Sequence, residues 1–144
     1  MAREEPSRRD EYRHFLTITT RWMDNDVYGH INNVQYYSYF DTVINRFLIE
    51  QGVLDIHKGE VIGLAVESHC NYFSSAAFPD DIKAGLRVAH LGRSSVRYEV
   101  GLFVEDRELA VAQGHFIHVY VERHSGQPVA IPEGLRSVLS VLQE

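Results

Sequence analysis

One segment of this chain carries a long helical period, and it is apolar over an unusually wide arc. From Val34 to Gln51, residues Tyr36, Phe40, Val43 and Phe47 recur at spacings of four, three and four. Tyr37, Ile44 and Leu48 widen the same stripe, and Gly52 is a natural stop. An aromatic face that broad needs something concave to pack into, so the segment reads as a central helix. The rest of the 144 residues must supply the wall around it. That length amounts to one domain and buries roughly 68–70% of its unfolded surface. Residues 1–12 are polar and highly charged and read as a flexible arm, leaving 13–144 as the single domain.

The wall is written in alternating residues. His14 to Trp22 alternates, with Leu16, Ile18 and Trp22 on one face. Val61–Phe73 places Ile62, Leu64, Val66 and Tyr72 on one face and Glu67, His69 and Asn71 on the other. Ile82–Leu91 follows Pro79-Asp80-Asp81, and Ser95–Val104 alternates strictly through Val96, Tyr98, Val100 and Leu102. Asp106-Arg107 suggests a tight hairpin into Leu109–Val121, and Pro132 suits the first turn of a short helix through Leu142. The expected class is α+β: a five-stranded antiparallel sheet, its last four strands in hairpin-like succession, wrapped around the helix. A single such sheet leaves a face and its edges uncovered, which dimerisation would remedy.

Charge and cysteine exclude whole classes of partner. Twenty acids against fourteen bases leave −6, which argues against a nucleic-acid or anionic-membrane binder. The lone Cys70 has no partner for an internal disulfide, which fits a reducing compartment. The first residues contain no apolar signal core, and no apolar run approaches the length of a membrane span. The expected location is cytoplasmic.

Chemistry concentrates in the turn before the helix. Asp24-Asn25-Asp26-Val27-Tyr28-Gly29-His30-Ile31-Asn32-Asn33 is rich in turn formers, and Asn32 or Asn33 can cap the helix. Free amides at a helix start attract negative charge and can hold the oxyanion formed when a carbonyl is attacked. A carboxylate beside them, from Asp24 or Asp26, has the chemistry of a nucleophile or general base. These Asp and Asn residues also serve as plain turn and cap residues, so both readings stand at this point. Metal is a poor fit. His115 and His118 fall on opposite strand faces, and Glu67 with His69 supplies fewer ligands than a catalytic zinc needs. Mid-strand Cys70, on the face of Ile62, Leu64 and Val66, reads as buried and inert. No phosphate loop or dinucleotide fingerprint is present. Arg87, Arg93 and Arg97 are either phosphate contacts or a solvated face.

Arg21-Trp22-Met23-Asp24-Asn25-Asp26-Val27-Tyr28-Gly29-His30-Ile31-Asn32-Asn33-Val34-Gln35-Tyr36 resembles the signature of hotdog-fold acyl-CoA thioesterases of the 4-hydroxybenzoyl-CoA thioesterase-like family. It matches the form W-x-D-x-D-x-x-G-H-[VI]-N-N-x-x-Y. Residues 68–81, Gly92-Arg93-Ser94-Ser95 and Ile131-Pro132 are similar to later family segments, so the resemblance spans about residues 14–135. It implies a hotdog fold in a homodimer or homotetramer, with active sites and a pantetheine tunnel between subunits. It implies Asp26 as the catalytic carboxylate, amides near Asn32 and Asn33 as the oxyanion hole, and His30 and Asn32 as further active-site positions of the G-H-x-N-N branch. Glu67 lies on a strand that contributes an acid in related proteins. The implied substrate is an acyl-CoA or acyl-ACP (acyl carrier protein) thioester, with no cofactor and no metal, and Arg87, Arg93 and Arg97 are the residues to test against CoA phosphates. Two rivals accompany this reading. One is a non-catalytic acyl-CoA-binding hotdog module. The other is a hotdog enoyl-CoA hydratase, whose D-x4-H arrangement differs from the three residues between Asp26 and His30.

Overall fold

The computed structural model describes residues 4–143. Strand β1 (His14–Thr19) leads through a short 3-10 turn at Trp22–Asp24 into helix α1 (Asn33–Glu50). Strands β2 (Val61–Tyr72), β3 (Asp81–Leu91), β4 (Ser95–Val104) and β5 (Ala112–Glu122) follow, and helix α2 (Glu133–Ser140) comes last. The helix and the β4 strand fall where their periodicity places them, to within a residue. β1 ends earlier than the alternation suggests, because Thr20 turns away to donate to the Asp80 carbonyl at 2.7 Å.

The sheet is antiparallel throughout, in the order β1-β3-β4-β5-β2. It wraps around α1, which is the hotdog arrangement. Phe40, Val43 and Ile44 of α1 are fully buried against inward residues of β3 and β4 such as Ile82, Leu86, Tyr98 and Leu102. Each such side chain contributes about 1.5–3 kcal/mol on leaving water. The helix can sit this close because β5 carries Gly114 under Phe40. A Cβ there would run into the His69 carbonyl and lie 2.6 Å from Phe40 Cε2.

Three expectations are corrected. The last four strands do not form a simple hairpin succession: β3, β4 and β5 do, but β2 crosses to the far side and pairs with β5. A β-bulge between Ala65 and Glu67 then switches the phase of β2. Ile62, Leu64 and Val66 therefore do not share a face with Cys70 and Tyr72. Leu64 and Val66 are 46% and 60% exposed, whereas Cys70 turns inward and is buried.

The third correction concerns the first residues. The part of the expected arm that the structure describes is tied down, and residues 1–3 of it lie outside the described residues. Tyr12 is buried on the outer face of the sheet, edge-on to Phe103 at 5.8 Å, and hydrogen-bonds Ser7 at 2.7 Å. Arg9 donates to the Arg107 carbonyl at 2.7 Å, and the Ser7 N–H to the Gln113 side chain at 2.6 Å. Charge in this segment is compatible with loose chain, but one aromatic and its partners anchor it. Among the described residues no helix is long and apolar enough to cross a membrane.

Gly114→Ala is expected to destabilise the protein by about 3 kcal/mol through overpacking between β2 and α1, as measured by chemical denaturation.

Candidate active site

The segment between β1 and α1 is built by short polar side chains closing on their own backbone. Asp26 starts a tight turn. The Gly29 N–H donates to the Asp26 carbonyl at 3.0 Å and the Asp26 N–H to the His30 carbonyl at 2.8 Å. Gly29 takes φ +79°, the left-handed conformation this closure needs. Asp26 Oδ1 accepts from the Tyr28 N–H at 2.9 Å. Its other oxygen, Oδ2, has no hydrogen-bond partner among the described residues.

The turn is stitched down on both sides. Phe78 N–H donates to Asn25 Oδ1 at 3.0 Å, and Ile31 N–H to the Ala76 carbonyl at 2.8 Å. Asn32 caps α1, its Oδ1 accepting from Val34 N–H at 3.2 Å and its carbonyl from Gln35 N–H at 2.9 Å. The nearby Asn33 N–H has no acceptor among the described residues. It sits in the first turn of the helix, where the partial positive charge is concentrated.

Asp24 resolves differently from Asp26. It is buried, 1% exposed, and accepts from Tyr39 Oη at 2.7 Å, from Arg21 N at 3.0 Å and from Arg21 Nε at 3.1 Å. Burial works against its charge, but the bonds from Arg21 and Tyr39 outweigh that and hold its pKa below the ordinary carboxylate value. The Asp24 carbonyl also accepts the Asn32 N–H at 2.8 Å. Asp24 thus ties the turn to the helix start. Of the two candidate acids, this leaves Asp26 as the one with an available oxygen. Nothing in the sequence pattern marks Tyr39 for this task, since it sits among core aromatics at helical spacing.

The four predicted residues of this turn divide between two spaces. Asp26 and Asn32 line an open cleft of about 640 Å³ with Trp22 and Val27. His30 and Asn33 line a second space of about 300 Å³ with Tyr36, Tyr72 and Phe73. Trp22, Val27 and Tyr28 are 79%, 94% and 83% exposed, an uncovered apolar rim around the acid.

Glu67, Arg87 and Arg97 lie elsewhere, on the outer face of the sheet. There Arg87 and Arg97 both pair with Glu99, at 2.8 and 3.0 Å, and His115 meets Glu67 at 2.6 Å. Arg87 also lies over the Tyr12 ring at 4.9 Å. Within one chain the structure does not bring this group to the Asp26 turn. Arg93 is in the β3–β4 turn, where its carbonyl accepts from Ile131 N–H at 2.8 Å. The Cys70 thiol is pushed up to about 11 by burial and is poorly suited to nucleophilic work. Among the described residues no group of three His, Cys, Asp or Glu is arranged to hold a metal ion.

Comparison with known proteins fits this geometry. Residues 20–139 match the model of the thioesterase-like superfamily, and the chain belongs to that family. Among solved structures it is similar to the PA5185 protein from Pseudomonas aeruginosa, with 57% identity and a TM-score of 0.94 over 96% of this chain and 97% of that one. It is also similar to a thioesterase from Thermus thermophilus complexed with coenzyme A and Zn. The identity there is 26% and the TM-score 0.75, over 91% of this chain and 95% of that one. A search of curated proteins finds no match.

The ionised Asp24 contributes stability above the ordinary carboxylate pKa near 3.8, and that contribution is lost as pH falls through its lowered native value. Asp24→Asn is therefore expected to be less stable than wild type at pH 7. The gap should narrow below about pH 4 in thermal melts across pH.

Proposed function

We propose that the protein hydrolyses the thioester of an acyl-CoA or acyl-ACP, in the manner of the 4-hydroxybenzoyl-CoA thioesterase-like branch. One observation carries this reading: a carboxylate oxygen of Asp26 and the Asn33 amide are both without partners among the described residues, on the same short connection into α1. The first suits attack or proton abstraction, and the second suits the charge that develops on a carbonyl oxygen.

In the proposed reaction, water or Asp26 itself adds to the thioester carbonyl carbon. The oxyanion is held at the helix start, with Asn32 fixing the cap and His30 positioning the substrate. Where water adds, Asp26 takes its proton and passes it to the thiolate as the C–S bond breaks and the free acid leaves. Where Asp26 adds, C–S cleavage leaves an acyl–Asp26 anhydride and a thiolate protonated by solvent, and water then hydrolyses the anhydride to the free acid and Asp26. The CoA bound by the Thermus thermophilus relative supports pantetheine as the common element of the substrate.

The same reading makes the protein a homodimer or homotetramer. Support comes from the open edge of β2, from exposed Leu64 and Val66, and from the apolar rim around Asp26. Glu67, Arg87 and Arg97 would act from the outer face of such an assembly, and Arg93 would offer a cation for CoA phosphates. The single buried thiol fits a cytoplasmic setting.

Asp26→Asn is expected to preserve the fold and cut hydrolysis by about two orders of magnitude or more in a thiol-release assay over aliphatic and aryl thioesters. His30→Ala should lower the rate less. Full activity in Asp26→Asn would defeat the assignment, and a larger loss in His30→Ala would reverse the two roles. Acyl-CoA binding without any thiol release would point to a binding module.

A further inference from the structure

The segment ahead of β1 has a socket of its own on the outer face of the sheet. Gly85 of β3 and Gly101 of β4 are direct cross-strand partners, and the Tyr12 ring lies on both. A Cβ at Gly85 would come within 2.9 Å of Tyr12, and one at Gly101 within 2.6 Å of its ring. Phe15 and Phe103 meet that ring edge-on at 6.5 and 5.8 Å, and the Arg87 guanidinium covers it. Tyr12, Phe103 and Ala110 are buried together as a small cluster separate from the main core.

From this anchor the segment grips the connection between β4 and β5, residues 105–111. Arg9 Nη2 donates to the Glu105 carbonyl at 2.9 Å and to the Arg107 carbonyl at 2.7 Å. The Arg9 N–H donates to the Glu108 carbonyl at 2.9 Å, and the Ala110 N–H to the Ser7 carbonyl at 2.9 Å. Glu105 takes φ +52° although it carries a side chain. That left-handed conformation is strained for such a residue and persists only where its surroundings hold it. The Glu105 side chain is exposed, and Arg9 is the group that holds its carbonyl.

The same connection carries one wall of the candidate site. Next to Ala110, the Val111 carbonyl accepts from the Phe73 N–H at 2.8 Å and from the Ser74 N–H at 3.2 Å. Phe73 and Ser74 line the space of about 300 Å³ shared with His30 and Asn33. The bond made by Ser7 and the bonds that place this wall therefore fall on consecutive residues. The Asp26 turn is fixed separately, by the bonds that join Tyr39, Asp24 and Asn32.

We propose that residues 4–12 are a positioning strap for the substrate space. Seated on Gly85 and Gly101, the strap holds the 105–111 connection in its strained form, and through Val111 it sets Phe73 and Ser74 beside His30 and Asn33. Its residues act through others, so it governs how well a thioester is held rather than the chemical step. This rests on the thioester-hydrolase reading above and adds to it a binding control on the opposite face of the sheet.

The test is steady-state kinetics on the full-length protein with an acyl-CoA that the wild type hydrolyses. Arg9→Ala and Tyr12→Ala should each raise KM about tenfold and leave kcat within about twofold. Arg9→Ala keeps the Tyr12 anchor and decides the matter where Tyr12→Ala does not fold. Glycine adopts the left-handed conformation without strain, so Glu105→Gly added to Arg9→Ala should bring KM back to within about twofold of the wild type. An unchanged KM in Arg9→Ala, a loss confined to kcat, or a KM that Glu105→Gly does not restore would overturn the proposal. Hydrogen exchange at the Phe73 and Ser74 amides reads the strap without substrate. Protection there should fall about tenfold in Arg9→Ala and return with Glu105→Gly, and equal protection in wild type and Arg9→Ala overturns the proposal. A wild type that hydrolyses no thioester would overturn the hydrolase reading instead, and the exchange measurement would still decide the strap.

Discussion

Helix α1 presses Phe40 onto Gly114, at the point where β5 pairs with β2. The close approach fixes the depth of the helix in the sheet, and the other parts follow from that depth. With the helix seated, Tyr39 faces back toward the incoming chain and its hydroxyl meets Asp24. That carboxylate sets the course of the chain from Arg21 to Asn32, and the course sets where Asp26 and the Asn33 amide emerge. Core packing and site geometry are in this way one construction. The exchange is local: a buried charge is tolerated because an arginine, a tyrosine and a backbone amide all donate to it.

Much of this was legible from pattern alone. The helical stripe and the strict alternation of Val96 through Val104 are statements about period, and period is what burial on one face imposes. The motif around Asp26 was legible because turns and caps demand particular side chains. What escaped was long-range or depended on a single residue. Pairing of β2 with β5 rather than β3 leaves no local trace. The bulge in β2 left Cys70 buried as expected but put Leu64 and Val66 outside, since one extra residue inverts the alternation after it. The buried tie between Asp24 and Tyr39 joins residues whose types each had a simpler explanation.

The two sides of the sheet have separate chemistry. The buried inward residues of β3, β4 and β5 are apolar except for His118 and the Tyr98–Tyr120 pair, whose hydroxyls satisfy one another beside a cavity. The outward face carries a row of polar residues paired across four strands, Arg87 to Glu99, Glu99 to His115 and His115 to His69. The segment ending at Tyr12 folds over part of that row, and Asn71 donates to Glu4 at its margin. Charges here neutralise one another over short distances, so they contribute less to the far field of the molecule than their number implies.

The bulge at Val66 also divides β2 into two stretches of opposite phase. Upstream of it, Leu64 looks outward; downstream, Cys70 and Tyr72 look toward the core beside the helix start. A deletion of Val66 would leave composition, length and hydrophobicity nearly untouched. Ala65 and Glu67 already face the consecutive β5 residues His118 and Ile117, so the shortened strand would lose its irregularity and keep Leu64 outward and Tyr72 inward. Val66 thus bends the strand, while pairing with β5 fixes which side each half shows.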